Sequence, residues 1–493
     1  MFYKSTRSNE QAKGSAAQVI KQGLADDGGL FVPESIPTLP MSEILDLCKE
    51  SYPVRAAKIL SKFLTDYTYE ELLADCSAAY DEKSFVGGAA PLCNVHDNFE
   101  ILELWHGPTA AFKDMALQIM PRLLSRALVK TGEKRTALIL VATSGDTGKA
   151  ALEGYKDIDG IKIMVFYPVD GVSRVQKLQM STQTGSNVNV CAIRGNFDDA
   201  QSGVKEIFAD AEMVKALNDK GYFFSSANSI NWGRLAPQIV YYVSAYCDLL
   251  NANKCKPGDA FNVCVPTGNF GNIFAAYLAK LMGLPIAKLI CASNSNNILT
   301  DFLKTGTYDR NRDFYLTMSP SMDILISSNL ERLLYFTAGS EKTAAYMESL
   351  KKNGVYSVEP EILAKIQENF IGYYTDEKET AKTIKETYDQ YGYLADTHTA
   401  VAINAANQYV AETGDKLPIV IDSTASPYKF ANNVYLAVAN EEAESELAAL
   451  DALSEKTNTE IPYPLAGLAN RKVNFTKVVD KTEMAKAVLE YLG

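Results

Sequence analysis

Short apolar runs alternate with amphipathic stretches through the middle of this chain. Residues 136–142, 161–167 and 261–265 are almost wholly apolar, and each run is followed by residues with apolar positions at helical spacing. Apolar strands separated by helices are typical of a parallel sheet that its crossover helices bury on both faces. The pattern therefore predicts an α/β fold built from open parallel sheets.

The pattern changes on both sides of this region. Helical spacing without strands predicts a mostly helical N-terminal region, in the stretches 11–23, 41–51, 53–63 and 68–79. A glycine-rich segment at 87–91 is the first candidate boundary, and the chain after about residue 440 is rich in charge. We predict three parts, which are an N-terminal region 1–90, an α/β catalytic core 91–435 and a C-terminal segment 436–493 that packs on the core.

Composition excludes several classes of function. The net charge of -12 argues against nucleic acid as a partner, and no apolar run approaches the roughly 20 residues that span a bilayer. The N-terminus is polar and lacks a signal-peptide core. The 8 cysteines form no C-x-x-C pair, which favours reduced thiols in a cytoplasm, and the 3 histidines are too scattered for a metal site. We expect a cytoplasmic protein that binds no membrane and no metal.

One lysine lies in an unusual loop. A predicted strand at 101–105 is followed by the turn residues Gly107–Thr109 and by a helical pattern that runs through about Leu128. This places Lys113 in the first turn of a helix, where the helix dipole and partial burial both lower the pKa of the ammonium. A neutral amine is the form that condenses with a carbonyl cofactor. For a single lysine considered by itself, a solvated side chain on an exposed helix face is the more common explanation of such a pattern.

Three further loops with unusual residues follow predicted strands, at 143–149, 265–272 and 422–427. The first suits an anion at a helix start, or simply caps that helix. The second has glycines that let backbone amides approach a phosphate, although it is neither a P-loop nor G-x-G-x-x-G, and it also fits a plain glycine turn. The third offers hydroxyls for a ring nitrogen, or a helix cap. Pyridoxal phosphate is one ligand that explains the lysine and all three loops together.

These motifs also resemble a known family. Gly107–Asp114, Thr143–Gly148, Asn228–Asn231 and Gly268–Asn272 are similar to threonine synthase of the longer type, in the same order and over most of the chain. The resemblance implies a tryptophan synthase β-like fold, which is type II among pyridoxal phosphate enzymes, with two open parallel-sheet α/β domains and the cofactor between them. It implies conversion of O-phospho-L-homoserine and water to L-threonine and phosphate, the last step of threonine biosynthesis.

The resemblance further implies roles for single residues. Lys113 would hold the cofactor covalently and act as the catalytic base. The cofactor-binding positions are Lys113, Gly268, Asn269, Phe270, Gly271, Asn272 and Thr424. The substrate-binding positions are Ser144, Gly145, Asp146, Thr147, Asn228, Ser229 and Arg234. For the last of these, an arginine on a helix surface is the other explanation.

Two departures and two alternatives accompany the resemblance. Ser426 stands where many relatives have His, and Thr397 stands where relatives usually have Pro before the equivalent of His398, which we interpret as structural or supporting. One alternative is another enzyme of the fold, such as a serine or threonine dehydratase or a cysteine synthase, although those usually carry Asn where this chain has Asp146. The other is a non-catalytic phosphate-binding relative. We expect a monomer or a weak homodimer.

Overall fold

The computed structural model describes residues 1–10, 14–143 and 145–493. The strands of this part are β1 Tyr3–Ser5, β2 Phe31–Pro33, β3 Leu92–His96, β4 Phe99–Glu103, β5 Thr136–Ala142, β6 Ile161–Pro168, β7 Val188–Arg194, β8 Tyr222–Ser225, β9 Phe261–Pro266, β10 Ile286–Ser293, β11 Thr307–Asp309, β12 Val355–Ser357, β13 Phe370–Tyr374, β14 Ile419–Ser423 and β15 Val478–Asp480.

The α-helices are α1 Ala16–Gln22, α2 Met41–Leu47, α3 Tyr52–Phe63, α4 Tyr69–Ala79, α5 Asp114–Leu117, α6 Met120–Lys130, α7 Asp146–Tyr155, α8 Arg174–Ser181, α9 Phe197–Ala209, α10 Ala211–Asp219, α11 Trp232–Asn251, α12 Gly271–Met282, α13 Ile298–Thr305, α14 Leu330–Ala338, α15 Ser340–Asn353, α16 Pro360–Asn369, α17 Glu377–Tyr391, α18 Thr397–Thr413, α19 Ala431–Ala439, α20 Ala448–Thr457 and α21 Met484–Leu492. Short 3-10 turns lie at Pro320–Met322, Pro427–Phe430, Leu468–Asn470 and Lys481–Glu483.

Two large sheets form the body of the molecule. One has six strands in the order β13-β10-β9-β14-β4-β3, and the other has five in the order β15-β7-β6-β5-β8. All neighbouring strands in both sheets are parallel except the β3–β4 pair, which is antiparallel. The predicted α/β class with open parallel sheets is therefore confirmed. Two antiparallel ladders, β1–β2 and β11–β12, are small additions.

The central strands of the six-stranded sheet have no exposed face. Every residue of β4, β9 and β14 is buried. Helices cover both sides, and α11 is buried over most of its length because it packs against α12 and α3. This double coverage is the reason why these strands are apolar along their whole length, without the alternation of a half-exposed strand.

The single helix predicted from Lys113 through about Leu128 is wrong. The chain instead forms the four-residue α5, breaks, and restarts as α6. Pro121 causes the break, because it has no amide hydrogen to donate to the carbonyl of Leu117. Gly154 of α7 packs on that carbonyl so closely that any Cβ there would overlap it.

The ends of the chain differ from prediction in detail. The first helix begins at Ala16, where Ser15 and Gln18 form a capping box, and residues 11–13 of the predicted stretch lie outside the described part. The charged C-terminal segment contributes β15, which pairs with β7 at the edge of the five-stranded sheet. A three-residue strand is too short to show a pattern in sequence. In the described ranges, no helix combines the length and the apolar composition needed to cross a bilayer.

Candidate active site

Three of the four predicted loops leave neighbouring strands of one sheet. The Lys113 loop follows β4, Thr424 follows β14, and Gly268–Asn272 follows β9, and these strands lie side by side and parallel. Their carboxyl ends therefore meet at one edge, where open parallel sheets bind ligands. The fourth loop follows β5 of the other sheet. It also lies close to Lys113, since Asp146 Oδ2 is 3.9 Å from Lys113 Nζ.

The Lys113 loop and the Thr424 loop are joined directly. Ala111 and Ala425 form an isolated antiparallel bridge, and the Phe112 amide donates to the Thr424 carbonyl at 2.8 Å. The Ser426 side chain accepts from the amide of Tyr428 and so caps the short helical turn that follows. The Thr424 side chain, which is buried, is therefore held at a fixed place relative to the lysine.

A buried carboxylate closes the turn before the lysine. Asp114 accepts a hydrogen bond from the Thr109 amide at 2.8 Å and another from the Thr109 hydroxyl at 2.7 Å. Gly107 has no side chain to obstruct this arrangement, since a Cβ there would lie 2.6 Å from the Asp114 carboxylate. Burial raises the pKa of Asp114 to about 7.

The Lys113 amine has three neighbours. It donates to the Ser321 hydroxyl at 3.4 Å, it lies 3.9 Å from the carboxylate of Asp146, and it stands 5.0 Å from the centroid of the Phe112 ring. Ser321 is a site residue that sequence reasoning missed. It lies in the long, mainly helical region after residue 296, which offered no recognisable motif.

Burial lowers the pKa of the Lys113 ammonium, Asp146 opposes this change, and the positive charges of Lys429 and Arg234 add to it. The direction agrees with the prediction from sequence. Burial is the main cause, however, and the predicted dipole is weak because α5 has only four residues. The environment favours the neutral amine that a carbonyl cofactor requires.

Asp146 is the first residue of α7, in the predicted anion loop. Gly145 before it has a φ of 148°, and a Cβ at that position would overlap the side chain of Gln176, which donates to Asp146 at 2.9 Å. Only glycine fits both conditions. Thr147 lies in the first turn of α7, and Ser144, also predicted here, lies outside the described residues.

Lys429 is the second functional residue that sequence reasoning missed. Its ammonium is buried and contacts Asp146 at 2.9 Å, the Thr109 carbonyl at 3.1 Å and Gln179 at 2.8 Å. Burial alone would raise the pKa of Asp146, but Lys429 and then Lys113 reverse this effect and hold it below its usual range. The available signal was indirect, because a buried Asp146 requires a cation and the nearest lysine in the sequence, Lys149, pairs with Glu153 instead.

The Gly268–Asn272 loop has the shape of an anion cup. Phe270 adopts a left-handed conformation with a φ of 64°, and α12 begins immediately after it at Gly271. A Cβ on Gly268 would lie 2.5 Å from the Ser321 carbonyl, so the close approach requires glycine. The Asn269 carbonyl accepts from the backbone amide that precedes α14, at 3.0 Å. A tight loop at a helix start presents backbone amides to an anion.

Arg234 is buried, so the alternative of a surface arginine is wrong. It lies in the first turn of α11, and its Nη1 donates to the Ala227 carbonyl at 2.6 Å. Its Nε is buried and has no hydrogen-bond partner among the described residues. Burial lowers its pKa to about 10. Asn228, which is exposed, and Ser229, which is half-buried, lie directly before α11.

The site therefore brings together an amine whose pKa is lowered by burial, the tight Gly268–Asn272 loop, the start of α7 and a buried guanidinium. Asn272 supplies one more unsatisfied donor, since its buried Nδ2 has no partner within the described part of the chain. Unsatisfied buried donors are rare, and they indicate a place for an acceptor that a ligand provides. The arrangement suits a phosphorylated carbonyl cofactor together with an anionic substrate.

Models of three protein families match the chain. Residues 2–80 match the model described as Threonine synthase N terminus, residues 101–422 match Pyridoxal-phosphate dependent enzyme, and residues 399–489 match Threonine synthase, C-terminal. The second match alone covers more than half of the chain.

Known proteins are similar over most of the chain. Threonine synthase-like 1 from Homo sapiens is 40% identical over 447 residues, which cover 87% of this chain and 59% of the relative. The chain thus spans less than two thirds of that relative. Threonine synthase from Pseudomonas aeruginosa is 39% identical over 88% of this chain and 90% of its own. The crystal structure of PLP-bound threonine synthase from Brucella melitensis matches with a TM-score of 0.88 and 37% identity, over 100% of this chain and 98% of that one.

Proposed function

Because this chain belongs to the threonine synthase family of pyridoxal-phosphate dependent enzymes, we propose that it converts O-phospho-L-homoserine and water to L-threonine and phosphate. The reaction removes the phosphate from the γ-carbon of the substrate and adds water at the β-carbon. An enzyme for it needs a cofactor that stabilises a carbanion, a base that moves protons, and separate sites for the two anionic ends of the substrate.

The cofactor is pyridoxal 5'-phosphate, and the residues present fit it. The amine of Lys113 would hold its aldehyde, the backbone around Gly268–Asn272 would hold its phosphate, and Thr424 would face its ring nitrogen. Two observations support this assignment: the close approach of Gly268 to a backbone carbonyl, and the buried Asn272 Nδ2, which has no partner in the described part of the chain. When bound, the cofactor supplies a carbonyl carbon for an amine and a ring that accepts the electron pair of a broken C–H bond.

The chain's own groups then have distinct tasks. Lys113, whose pKa is lowered by burial, takes a proton from one substrate carbon as a neutral amine, and the ammonium so formed returns it to another carbon. The start of α7, from Gly145 to Thr147, binds the substrate carboxylate through the amides of Asp146 and Thr147, since the Gly145 amide donates to Thr143 Oγ1 at 3.0 Å. Arg234, with Asn228 and Ser229, binds the substrate phosphate, because a guanidinium pairs with two phosphate oxygens at once.

The observation that carries the proposal is the buried guanidinium of Arg234, whose Nε has no partner among the residues that the structure describes. Its positive charge lies close enough to Lys113 to lower the pKa of the amine. A buried guanidinium with an unsatisfied N–H is costly unless a ligand supplies the missing acceptor. A dehydratase acting on free serine or threonine has no second anion beyond the carboxylate to place there, so Arg234 favours a phosphorylated substrate over that alternative.

Phosphate release from O-phospho-L-homoserine, assayed beside pyruvate release from L-serine, tests the proposal. We expect rapid phosphate release with stoichiometric L-threonine and little pyruvate. Lys113→Ala is the control, and it should abolish the reaction. Pyruvate release in excess of phosphate release would support the dehydratase alternative, and binding of phosphohomoserine without turnover would support the non-catalytic one.

Three expectations about location, oligomeric state and partners accompany the proposal. We propose that the protein acts in the cytoplasm as a monomer or a weak homodimer, without nucleic acid as a partner, in keeping with its net charge of -12. The division into 1–90, 91–435 and 436–493 stays a prediction.

A further inference from the structure

We propose that His398, oriented by Asp396, is a positioning residue that holds the Ser321 turn against the Lys113 amine. Its link to threonine synthesis rests on the proposed function. The contacts themselves involve no substrate, so they can be tested separately.

A continuous line of contacts runs from Asp396 to the lysine. Asp396 Oδ1 lies 2.9 Å from His398 Nδ1, and His398 Nε2 accepts a hydrogen bond from the Ser321 amide at 3.1 Å. The Ser321 hydroxyl in turn accepts from the Lys113 amine at 3.4 Å. The imidazole thus connects the Asp396 carboxylate to the Ser321 turn.

The donors and acceptors fix the state of the imidazole. The Ser321 amide can only donate, so His398 Nε2 must be the unprotonated nitrogen. The hydrogen is then on Nδ1 and is donated to Asp396. This tautomer allows His398 to hold the turn. With a hydrogen on Nε2 instead, two N–H groups would face each other and the hydrogen bond to the Ser321 amide would be lost.

Asp396 is itself anchored from several sides. It caps α18 by accepting from the amides of His398 at 2.8 Å and Thr399 at 3.3 Å, and it accepts from the Thr399 hydroxyl. Thr399 also contacts the Ser423 hydroxyl at 3.0 Å, next to Thr424 at the end of β14. Asp396 and His398 are both buried, so water does not replace these bonds.

The Ser321 turn serves two parts of the site. Its hydroxyl contacts the Lys113 amine, and its carbonyl is the atom that a Cβ on Gly268 would approach to 2.5 Å. A shift of this turn therefore changes the surroundings of both the lysine amine and the Gly268–Asn272 loop. His398 restrains the turn through a main-chain bond that no other described side chain makes to the Ser321 amide.

The test compares His398→Leu with His398→Gln in the full chain loaded with cofactor. We expect His398→Leu to lower kcat for phosphate release about tenfold while KM stays within about twofold, because one hydrogen bond is lost far from the substrate's anionic ends. Without substrate, the loss of bound cofactor to added hydroxylamine should become about tenfold faster. Glutamine keeps an acceptor near the turn and should restore both rates to within about threefold.

Two further variants separate positioning from general destabilisation. Asn404→Leu removes hydrogen bonds to Thr375 and Gln408 from the same helix, α18, without touching the turn. It should lower the melting temperature and leave both rates unchanged. Ser321→Ala combined with His398→Leu should reduce kcat less than the product of the two single effects, because both act through one turn.

The inference is overturned if His398→Leu leaves the hydroxylamine rate at the native value, if Asn404→Leu reproduces its effects, or if the effects of the two single substitutions on kcat multiply. The hydroxylamine assay needs no substrate. Absence of phosphate release in the native chain would therefore refute the proposed function and still leave this inference open to the assay.

Discussion

Lys429, which follows β14 of one sheet, neutralises Asp146, which follows β5 of the other, with its ammonium 2.9 Å from Asp146 Oδ1. Lys113 lies farther away, at 3.9 Å from the other carboxylate oxygen. The carboxylate is therefore compensated mainly by Lys429, and its charge persists without requiring a charged Lys113. This division explains how a lysine beside an aspartate retains a lowered pKa.

Lys429→Met should destabilise the protein strongly. The substitution leaves the buried Asp146 carboxylate without its main partner, at a cost of about 3–5 kcal/mol in the free energy of unfolding. Asp146→Asn in the same chain removes the charge and should recover more than half of this loss. Urea unfolding of the native protein, both single variants and the double variant gives the coupling energy. Additive effects would show that the two groups do not interact.

Gly268→Ala should weaken cofactor binding at least tenfold, by roughly 1.4 kcal/mol or more. The added methyl would lie 2.5 Å from the Ser321 carbonyl, so the cup or the turn must move. Cofactor titration followed by absorbance measures the affinity. Gly233→Ala is the control, since its methyl meets side chains only at 3.4 Å. Unchanged affinity in Gly268→Ala would contradict a tight cup.

Much of this site follows from local sequence. The apolar runs predicted β5, β6 and β9, because strands that are buried on both faces are apolar along their length and stand out in the sequence. The Gly107–Asp114 and Gly268–Asn272 motifs were visible because their backbone geometry demands particular residues at fixed spacing. Loops that follow neighbouring parallel strands lie at the same edge of the sheet, so no further information is needed to predict that they are close together.

The remaining features depend on contacts between distant segments. Lys429 and Ser321 are 316 and 208 positions from Lys113 in the sequence, and neither stands in a pattern that marks it as part of a site. The break between α5 and α6 depends on Pro121 and on the packing of Gly154 against the Leu117 carbonyl. Hydrophobic periodicity alone continues across the break, so a single helix was the natural prediction.

Stability should depend on pH through Asp422. Burial raises its pKa to about 8 from an ordinary value of 3.8, and the Tyr242 hydroxyl donates to it at 2.6 Å. The folded state therefore holds one more proton than the unfolded state between these values. The stabilisation is complete below pH 3.8 and is lost as the pH rises through about 8, by up to about 1.4 kcal/mol per pH unit.

The Asp422 prediction is checked by urea unfolding of the native protein and of Asp422→Asn at several pH values between 4 and 8. Asparagine does not ionise, so the difference in unfolding free energy between the two proteins should shift steadily in favour of the variant as the pH rises. A difference that stays constant over this interval would mean that Asp422 has the same pKa in both states.

Arg234→Ala should retain the bound cofactor and lose turnover. The proposed cofactor positions follow β4, β9 and β14, whereas Arg234 lies at the start of α11, so removal of its charge should spare the cofactor absorbance. The kcat/KM for phosphate release should fall at least a hundredfold, about 2.7 kcal/mol, because two charge-assisted hydrogen bonds to phosphate are lost. Arg234→Lys keeps the charge without the planar fork and should recover part of the loss.

Arg122→Ala, which removes a hydrogen bond to the Ala78 carbonyl, is the matched control and should have native kinetics. Native kcat/KM in Arg234→Ala would place the substrate phosphate elsewhere, and loss of the cofactor absorbance would assign Arg234 to the cofactor instead.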